Sequence, residues 1–213
     1  MALYLNTVSN LLWDTLKLLM SIKEFDNFRI VGGTSLSLQL GHRESVDIDL
    51  FTDAEYGSID FQNLEEILKR TFPYVDTSMV DIVGMGKSYF IGNNKNELVK
   101  LDLFYTDTFI FPCLIEEGVR FSCVKEISAM KFEVISNGGR KKDFWDIHEL
   151  LDTFTLDVMI AFYLKRNSYG LTKAELLPKI IDFSVAEDDF IPNCFRGKYW
   201  EFIKLDFEEL VKI

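Results

Sequence analysis

The sequence predicts an α+β fold: a mixed β-sheet flanked by helices and followed by a helical C-terminal region. Three observations carry this. Short runs of β-type residues, alternating apolar with polar, recur between residues 28 and 105. Helical periodicity brackets and interrupts those runs. From Val124 onward the helical period dominates. The texture changes after Pro112, which puts a soft boundary near residue 120. Residues 1–120 then form an α/β part, and residues 121–213 a mostly helical part that closes one side of a cleft.

Each element has its own signal. Leu5, Val8, Leu12, Leu16 and Leu19 fall on one side of a helix, and Leu11, Leu18 and Ile22 widen the stripe. Phe28 to Val31 reads as a strand. Gly32-Gly33 reads as a turn, and a helix runs from Thr34 to about Leu40 until Gly41 to Glu44 break it. Val46 to Phe51 reads as a strand with Val46, Ile48 and Leu50 facing the core. Phe61 to Phe72 is a helix stopped by Pro73. Val75 to Ile91 suggests two strands with a turn near Gly84 to Gly86. Gly92 to Asn96 has hairpin-turn composition, and Leu98 to Tyr105 reads as another strand. Breaks in the helical half are expected at Gly138-Gly139, at Asn167 to Gly170 and at Pro178. Aromatic residues from Phe195 to Phe207 are expected to pack the last helix.

Composition bounds the function classes. Of 213 residues 48% are apolar and 19 are Phe, which supports a sizeable core and argues against disorder. The net charge of −11 offers no broad basic face for nucleic acid, although a local patch is compatible with it. Cys113, Cys123 and Cys194 lack zinc-type spacing and read as buried free thiols. No run approaches the roughly 20 apolar residues of a membrane span. These features predict a cytoplasmic protein with no membrane partner.

The chemistry concentrates in Ser45-Val46-Asp47-Ile48-Asp49-Leu50-Phe51. Residues two apart on a strand share a face, so Asp47 and Asp49 project together. Two such carboxylates repel unless a cation lies between them or one takes a proton. Hard cations such as Mg2+ or Mn2+ favour oxygen ligands of this kind. Lys100-Leu101-Asp102-Leu103 repeats the pattern. On a neighbouring strand Asp102 would make a third metal ligand. Ordinary alternation on a half-exposed strand produces the same spacing. Gly32-Gly33-Thr34 tips the balance, because a strand-to-helix turn offers free N–H groups and a positive dipole end to phosphates. Thr34 and Ser35 add hydroxyl donors.

Gly32-Gly33-Thr34 followed by Arg43-x-Ser45-x-Asp47-Ile48-Asp49-Leu50 resembles the DNA polymerase β-type nucleotidyltransferase superfamily, and is most similar to its AbiEii/AbiGii toxin family. Val124 to Lys131 resembles that family's lysine-bearing helix, and Arg140-Lys141-Lys142-Asp143-Phe144-Trp145-Asp146 its closing motif. The ordered matches cover roughly residues 30 to 150. The resemblance implies a nucleotidyltransferase fold and transfer of a nucleotide from an NTP to an acceptor hydroxyl. That acceptor would be a tRNA 3′ end, a protein or a small molecule. It further implies a possible antitoxin partner. Asp47, Asp49 and Asp102 would hold metal. Gly32, Gly33, Thr34, Ser35 and Ser45 would cradle the nucleotide, and Lys131 and Arg43 would neutralise its phosphates.

In the closing motif Asp143 and Asp146 either complement the helix dipole, with Lys142 pairing Asp146 four residues on, or orient Lys131 and the nucleotide. Asp143 is then the nearer to the chemistry and Asp146 the supporting acid. His148 reads as a core or boundary histidine, and His42 as a loop residue. The basic run Arg140-Lys141-Lys142 suits an RNA acceptor, a triphosphate or a solvated helix start. Two competing functions use the same residues: a non-catalytic binding module of a defence complex, and a metal-dependent phosphohydrolase.

Overall fold

The computed structural model describes residues 2–77 and 84–212. A 3-10 turn at Leu5–Thr7 leads to α1, Asn10–Ser21, whose N-cap Ser9 accepts a hydrogen bond from the Leu12 amide. Leu12, Leu16 and Leu19 are buried, as the period requires. Leu5 and Leu18 are exposed. The apolar stripe is therefore narrower than predicted, because the chain bends at Val8 before the helix begins.

The strands are β1 (Arg29–Ile30), β2 (Asp47–Thr52), β3 (Tyr74–Thr77), β4 (Gly86–Asn94), β5 (Glu97–Tyr105), β6 (Cys113–Glu116) and β7 (Val119–Ser122). The other helices are α2 (Gly32–Leu40), α3 (Phe61–Thr71), α4 (Val124–Ser136), α5 (Lys141–Leu150), α6 (Leu156–Arg166), α7 (Lys173–Ile180) and α8 (Trp200–Val211). The strands form one seven-stranded mixed sheet in the order β3-β4-β5-β2-β1-β7-β6. β2 and β5 lie parallel at its centre, and β1 is antiparallel to β2 and parallel to β7.

Several expectations change. Val46 precedes β2 and is exposed, while Ile48 and Leu50 are fully buried. Gly32 and Gly33 are the first turn of α2 and do not precede it. Residues 113–122, left unassigned by periodicity, form the β6–β7 hairpin, with positive φ at both Glu117 and Gly118 in its turn. Of the turn expected near Gly84 to Gly86, Gly84 and Met85 precede β4 and Gly86 is already its first residue, whereas the strand residues expected at 78–83 lie outside the described residues. Pro178 does not end a helix. It sits inside α7, which loses one backbone bond there but is held by buried Leu176 and Ile180. The three cysteines are free and half-buried. Among the described residues no helix is long and apolar enough to cross a membrane.

Two apolar clusters result. One lies between the sheet and helices α1 and α3. The other is helical and gathers Phe132, Phe144, Trp145, Ile160, Leu176, Trp200, Ile203 and Phe207. Leu36 of α2 belongs to the second cluster, so α2 bridges sheet and helices. A buried pair ties the loop after β5 to the helical part: Arg166 Nη1 donates to Glu126 Oε1 at 2.7 Å, and Glu126 Oε2 accepts from the amides of Ile110 and Phe111. In the tail Trp200, Ile203 and Phe207 are buried, whereas Phe195, Tyr199 and Phe202 face solvent.

Phe144 is the hub of the second cluster, with ring centroids 5.1 Å from Phe183, 5.7 Å from Trp200 and 6.0 Å from Phe207. Phe144→Ala is expected to cost about 3–5 kcal/mol, read from urea unfolding. A loss below about 1 kcal/mol would show that the aromatic cluster does not hold the last helix in place.

Candidate active site

The carboxylates converge because of strand register. Asp49 of β2 stands directly opposite Asp102 of β5, and Asp47 opposite Lys100. Asp49 lies hard against the start of α2: a Cβ placed on Gly32 would come within 2.5 Å of Asp49 Oδ2. Gly32 also has φ +65°, a conformation that L side chains rarely adopt. The glycine thus lets the helix N-terminus and the carboxylate approach each other. Val31, the N-cap residue, contributes no side-chain cap to the helix.

Burial, reinforced by the neighbouring Asp102 and Asp47, pushes the Asp49 carboxyl up to about 6, against the pull of Lys131 and Lys142. Lys100 Nζ is 2.5 Å from Asp102 Oδ2. The other Asp102 oxygen, Oδ1, is buried without a partner. Lys142 Nζ lies 3.8 Å from Asp47 Oδ2, so Lys142 faces the strand acids rather than pairing with Asp146. Burial and the nearby Arg140 and Lys131 lower the Lys142 ammonium from its ordinary value. Among the described residues no three acid, imidazole or thiol side chains already stand in a metal-holding arrangement.

Behind this face lies a buried ionic network. Asp146 has no exposed surface. It accepts from Arg43 Nε at 2.7 Å, Arg43 Nη2 at 2.8 Å and His42 Nε2 at 2.8 Å, and Lys131 Nζ is 2.8 Å away. Lys131 Nζ also reaches Asp143 Oδ1 at 2.5 Å, and Asp143 Oδ2 accepts from the Arg140 amide at 2.9 Å. Burial alone would raise the Asp146 carboxyl, but Arg43 and Lys131 hold it well below the usual carboxylate range. Burial likewise opposes the charge on Lys131, and Asp143 with Asp146 keeps its ammonium above the ordinary value. Two cations thus meet two anions out of water.

This changes the roles expected of several residues. Arg43 and Lys131 are committed to carboxylates and nearly buried, so their charges are not free for phosphate. Asp143 and Asp146 are buried partners of those cations, and direct nucleotide contact by Asp146 is precluded by its burial. Gly33 leaves room for the Arg43 guanidinium, which a Cβ there would strike. Thr34 Oγ1 contacts Ser45 Oγ at 2.7 Å and the Asp47 carbonyl, which pins β2 to α2. Ser35 is fully buried and donates to the Ser122 carbonyl. These hydroxyls fasten elements together, each bonded to another protein atom. His148 bridges α5 to α8 through Asp206, with Nε2 2.8 Å from Oδ2.

Lys100 was not among the expected site residues, and Lys142 was expected to pair with Asp146 or to serve in the basic run, not to approach Asp47. Their spacing to Asp47 and Asp102 offers no local signal in one case and a two-residue offset in the other. A cavity of about 340 Å3 adjoins Lys142, lined also by Ser45, Val46, Arg140, Phe190 and Ile191. A larger one, about 760 Å3, is lined by Asp107, Glu133, Arg166, Tyr169 and Lys179 and none of the strand acids.

Two outcomes follow from the charges. Asp146→Asn should destabilise the fold by about 3–5 kcal/mol in urea titration, because it leaves the buried Arg43 guanidinium without its carboxylate and Lys131 with Asp143 alone. The folded carboxyl is depressed, so its contribution is complete above the unfolded value of about 3.9 and is lost as pH falls toward the folded value. A loss under about 1 kcal/mol would refute the network's structural role. Asp49 runs the other way. Its folded carboxyl is raised, so its contribution is fully present below the unfolded value of about 3.9, is lost as pH rises, and the whole cost is reached above about pH 6. Asp49→Asn should therefore stabilise the metal-free protein at pH 7.5 by on the order of 1–2 kcal/mol, read as a higher Tm. An unchanged or lower Tm contradicts the burial of that charge.

The chain is similar to known proteins along nearly its whole length. The family described as "Nucleotidyl transferase AbiEii toxin, Type IV TA system" matches residues 17–211. An uncharacterised protein of Aquifex aeolicus is 25% identical over 211 residues, covering 93% of each chain. Among solved structures, JHP933 from Helicobacter pylori superposes with TM-score 0.59 at 16% identity, covering 98% of this chain and 90% of that one. The nucleotidyltransferase toxin MenT4 from Mycobacterium tuberculosis superposes with TM-score 0.56 at 13% identity, covering 92% and 83%. At these identities the superpositions establish the nucleotidyltransferase fold, and the family match establishes more: the chain belongs to the AbiEii family of nucleotidyltransferase toxins of type IV toxin–antitoxin systems.

Proposed function

We propose that this nucleotidyltransferase moves a nucleotide from an NTP onto an acceptor hydroxyl at the junction of β2, β5 and the N-terminus of α2. The observation that carries the reading is the contact of Asp49 with Gly32. It sets oxygen ligands for a hard cation beside the open N–H groups and positive end of a helix, where a polyphosphate is stabilised.

Asp47, Asp49 and Asp102 would hold Mg2+ or Mn2+, and the buried, unpartnered Asp102 Oδ1 fits that use. Such an ion, when bound, lowers the pKa of the attacking hydroxyl and neutralises charge on the leaving pyrophosphate. The protein's own part is positioning and electrostatics. The first-turn amides of α2 cradle phosphate oxygens. Lys142, 29% exposed, and Lys100, 38% exposed, are the cations able to reach them. Arg43, Lys131, Asp143 and Asp146 act one layer back as positioning residues that fix α5, and so Lys142, against β2. The acceptor is an RNA 3′ end, a protein or a small molecule. The partner implied by the family is an antitoxin, and the compartment is the cytoplasm.

The test is incubation of the purified protein with each α-labelled NTP, Mg2+ and a cell extract. Label should pass to one class of acceptor. Asp49→Asn should reduce transfer by at least about 10³-fold while the protein stays folded. Gly32→Ala, which drives a methyl group into Asp49, should lose activity to a similar degree. Transfer that survives Asp49→Asn ends the carboxylate mechanism, and release of free phosphate without labelled acceptor would mark a hydrolase.

A further inference from the structure

Three carboxylates crowd the β2–β5 face, and like charges directly opposite on neighbouring strands destabilise a sheet. What offsets them is lysine. Lys100 lies on Asp102 at 2.5 Å and Lys142 approaches Asp47 at 3.8 Å. Each ammonium engages one oxygen of its carboxylate, and Asp102 Oδ1 stays buried and unpaired. We propose that Lys100 and Lys142 are placeholder cations of the carboxylate trio, and that a divalent ion enters tightly only together with a triphosphate that draws both ammoniums onto itself. The proposal rests on the reading of this face as the nucleotide site.

The two lysines differ from Lys131 in the property that matters. Lys131 is clamped between Asp143 and Asp146 with only 8% of its side chain exposed. Lys100 and Lys142 are 38% and 29% exposed on long flexible stems. Partly solvated pairs of that kind are individually weak, so they exchange partners readily. Leaving is favourable only if another anion receives them. The trio carries three negative charges and the lysines return two, so a divalent ion arriving alone meets a site already largely neutralised. It also meets an incomplete ligand set, since among the described residues no three acids stand ready around one point. Mg2+ characteristically takes one or two carboxylates and completes its shell with substrate phosphates and water. A triphosphate solves both problems at once, because it supplies oxygen ligands and accepts the displaced ammoniums. Metal and nucleotide affinities are then coupled, and the coupling is reciprocal.

The experiment measures Mn2+ binding to the protein by the EPR signal of free ion, with and without a non-hydrolysable NTP analogue, after the ion held by the analogue alone in protein-free solution is subtracted. It compares the wild-type protein with Lys100→Met, Lys142→Met and the double variant, which keep the apolar stems. In wild type the analogue should tighten Mn2+ binding by about tenfold or more. In the variants Mn2+ should bind more tightly than to wild type when nucleotide is absent, and the tightening by analogue should shrink, most in the double variant. If that variant folds poorly by circular dichroism, each single variant carries the same sign. Wild-type Mn2+ affinity indifferent to the analogue, or unchanged when the lysines are removed, overturns the proposal. An Asp49→Asn protein that binds Mn2+ as wild type does would overturn the site itself, a result distinct from failure of the placeholders.

Discussion

The structure depends on one buried interaction, the clasp of Arg43 and Lys131 on Asp146 and Asp143. Arg43 belongs to the segment leading into β2, Lys131 to α4, and both acids to α5. Four charges from three elements meet where water is excluded. Each is tolerable only because the others are in place, so the elements are bound in a single relative arrangement. That arrangement aims Lys142, on the same helix as both acids, at Asp47. A network buried away from solvent therefore shapes the carboxylate face of β2 and β5.

Around the clasp, small residues are used for proximity. Gly33 admits the Arg43 guanidinium beneath the first turn of α2, and Gly32 admits the Asp49 carboxylate above it. Thr34 and Ser35 turn their hydroxyls to the sheet and lock the helix to β2 and β7, and the Ser45 hydroxyl meets that of Thr34. The two glycines of the Gly-Gly-Thr segment thus let charged groups come close. The electrostatic design separates into two layers. The inner layer is neutral and permanent. The outer layer, Asp47, Asp49 and Asp102 with Lys100 and Lys142, keeps an excess of negative charge and half-open side chains.

Much of this was legible in the chain. Alternation put Ile48 and Leu50 in the core and Asp49 on the other face. The same alternation in Lys100 to Leu103 placed Asp102 on a matching strand, which the register confirmed as its neighbour. Position alone could not reveal burial of the cations. Lys131 lies among apolar residues on a helix, which suits a snorkelling side chain as well as a paired one. Its partners are 12 and 15 residues away on another helix. Arg43 and His42 sit in a loop segment, where exposure is the ordinary expectation, and their partner Asp146 is more than a hundred residues away. The β6–β7 hairpin escaped because its strands are short and one edge is exposed, which blurs the alternation.

By itself the sequence determined the element types, the order of the motifs and which acids share a strand face, because those properties follow from periods of 2 and 3.6 residues within a few turns of chain. Only the tertiary structure decided which charges are spent internally and which remain available. Charge pairing depends on distance and on local exclusion of water, and both are set by elements that meet from far apart along the chain.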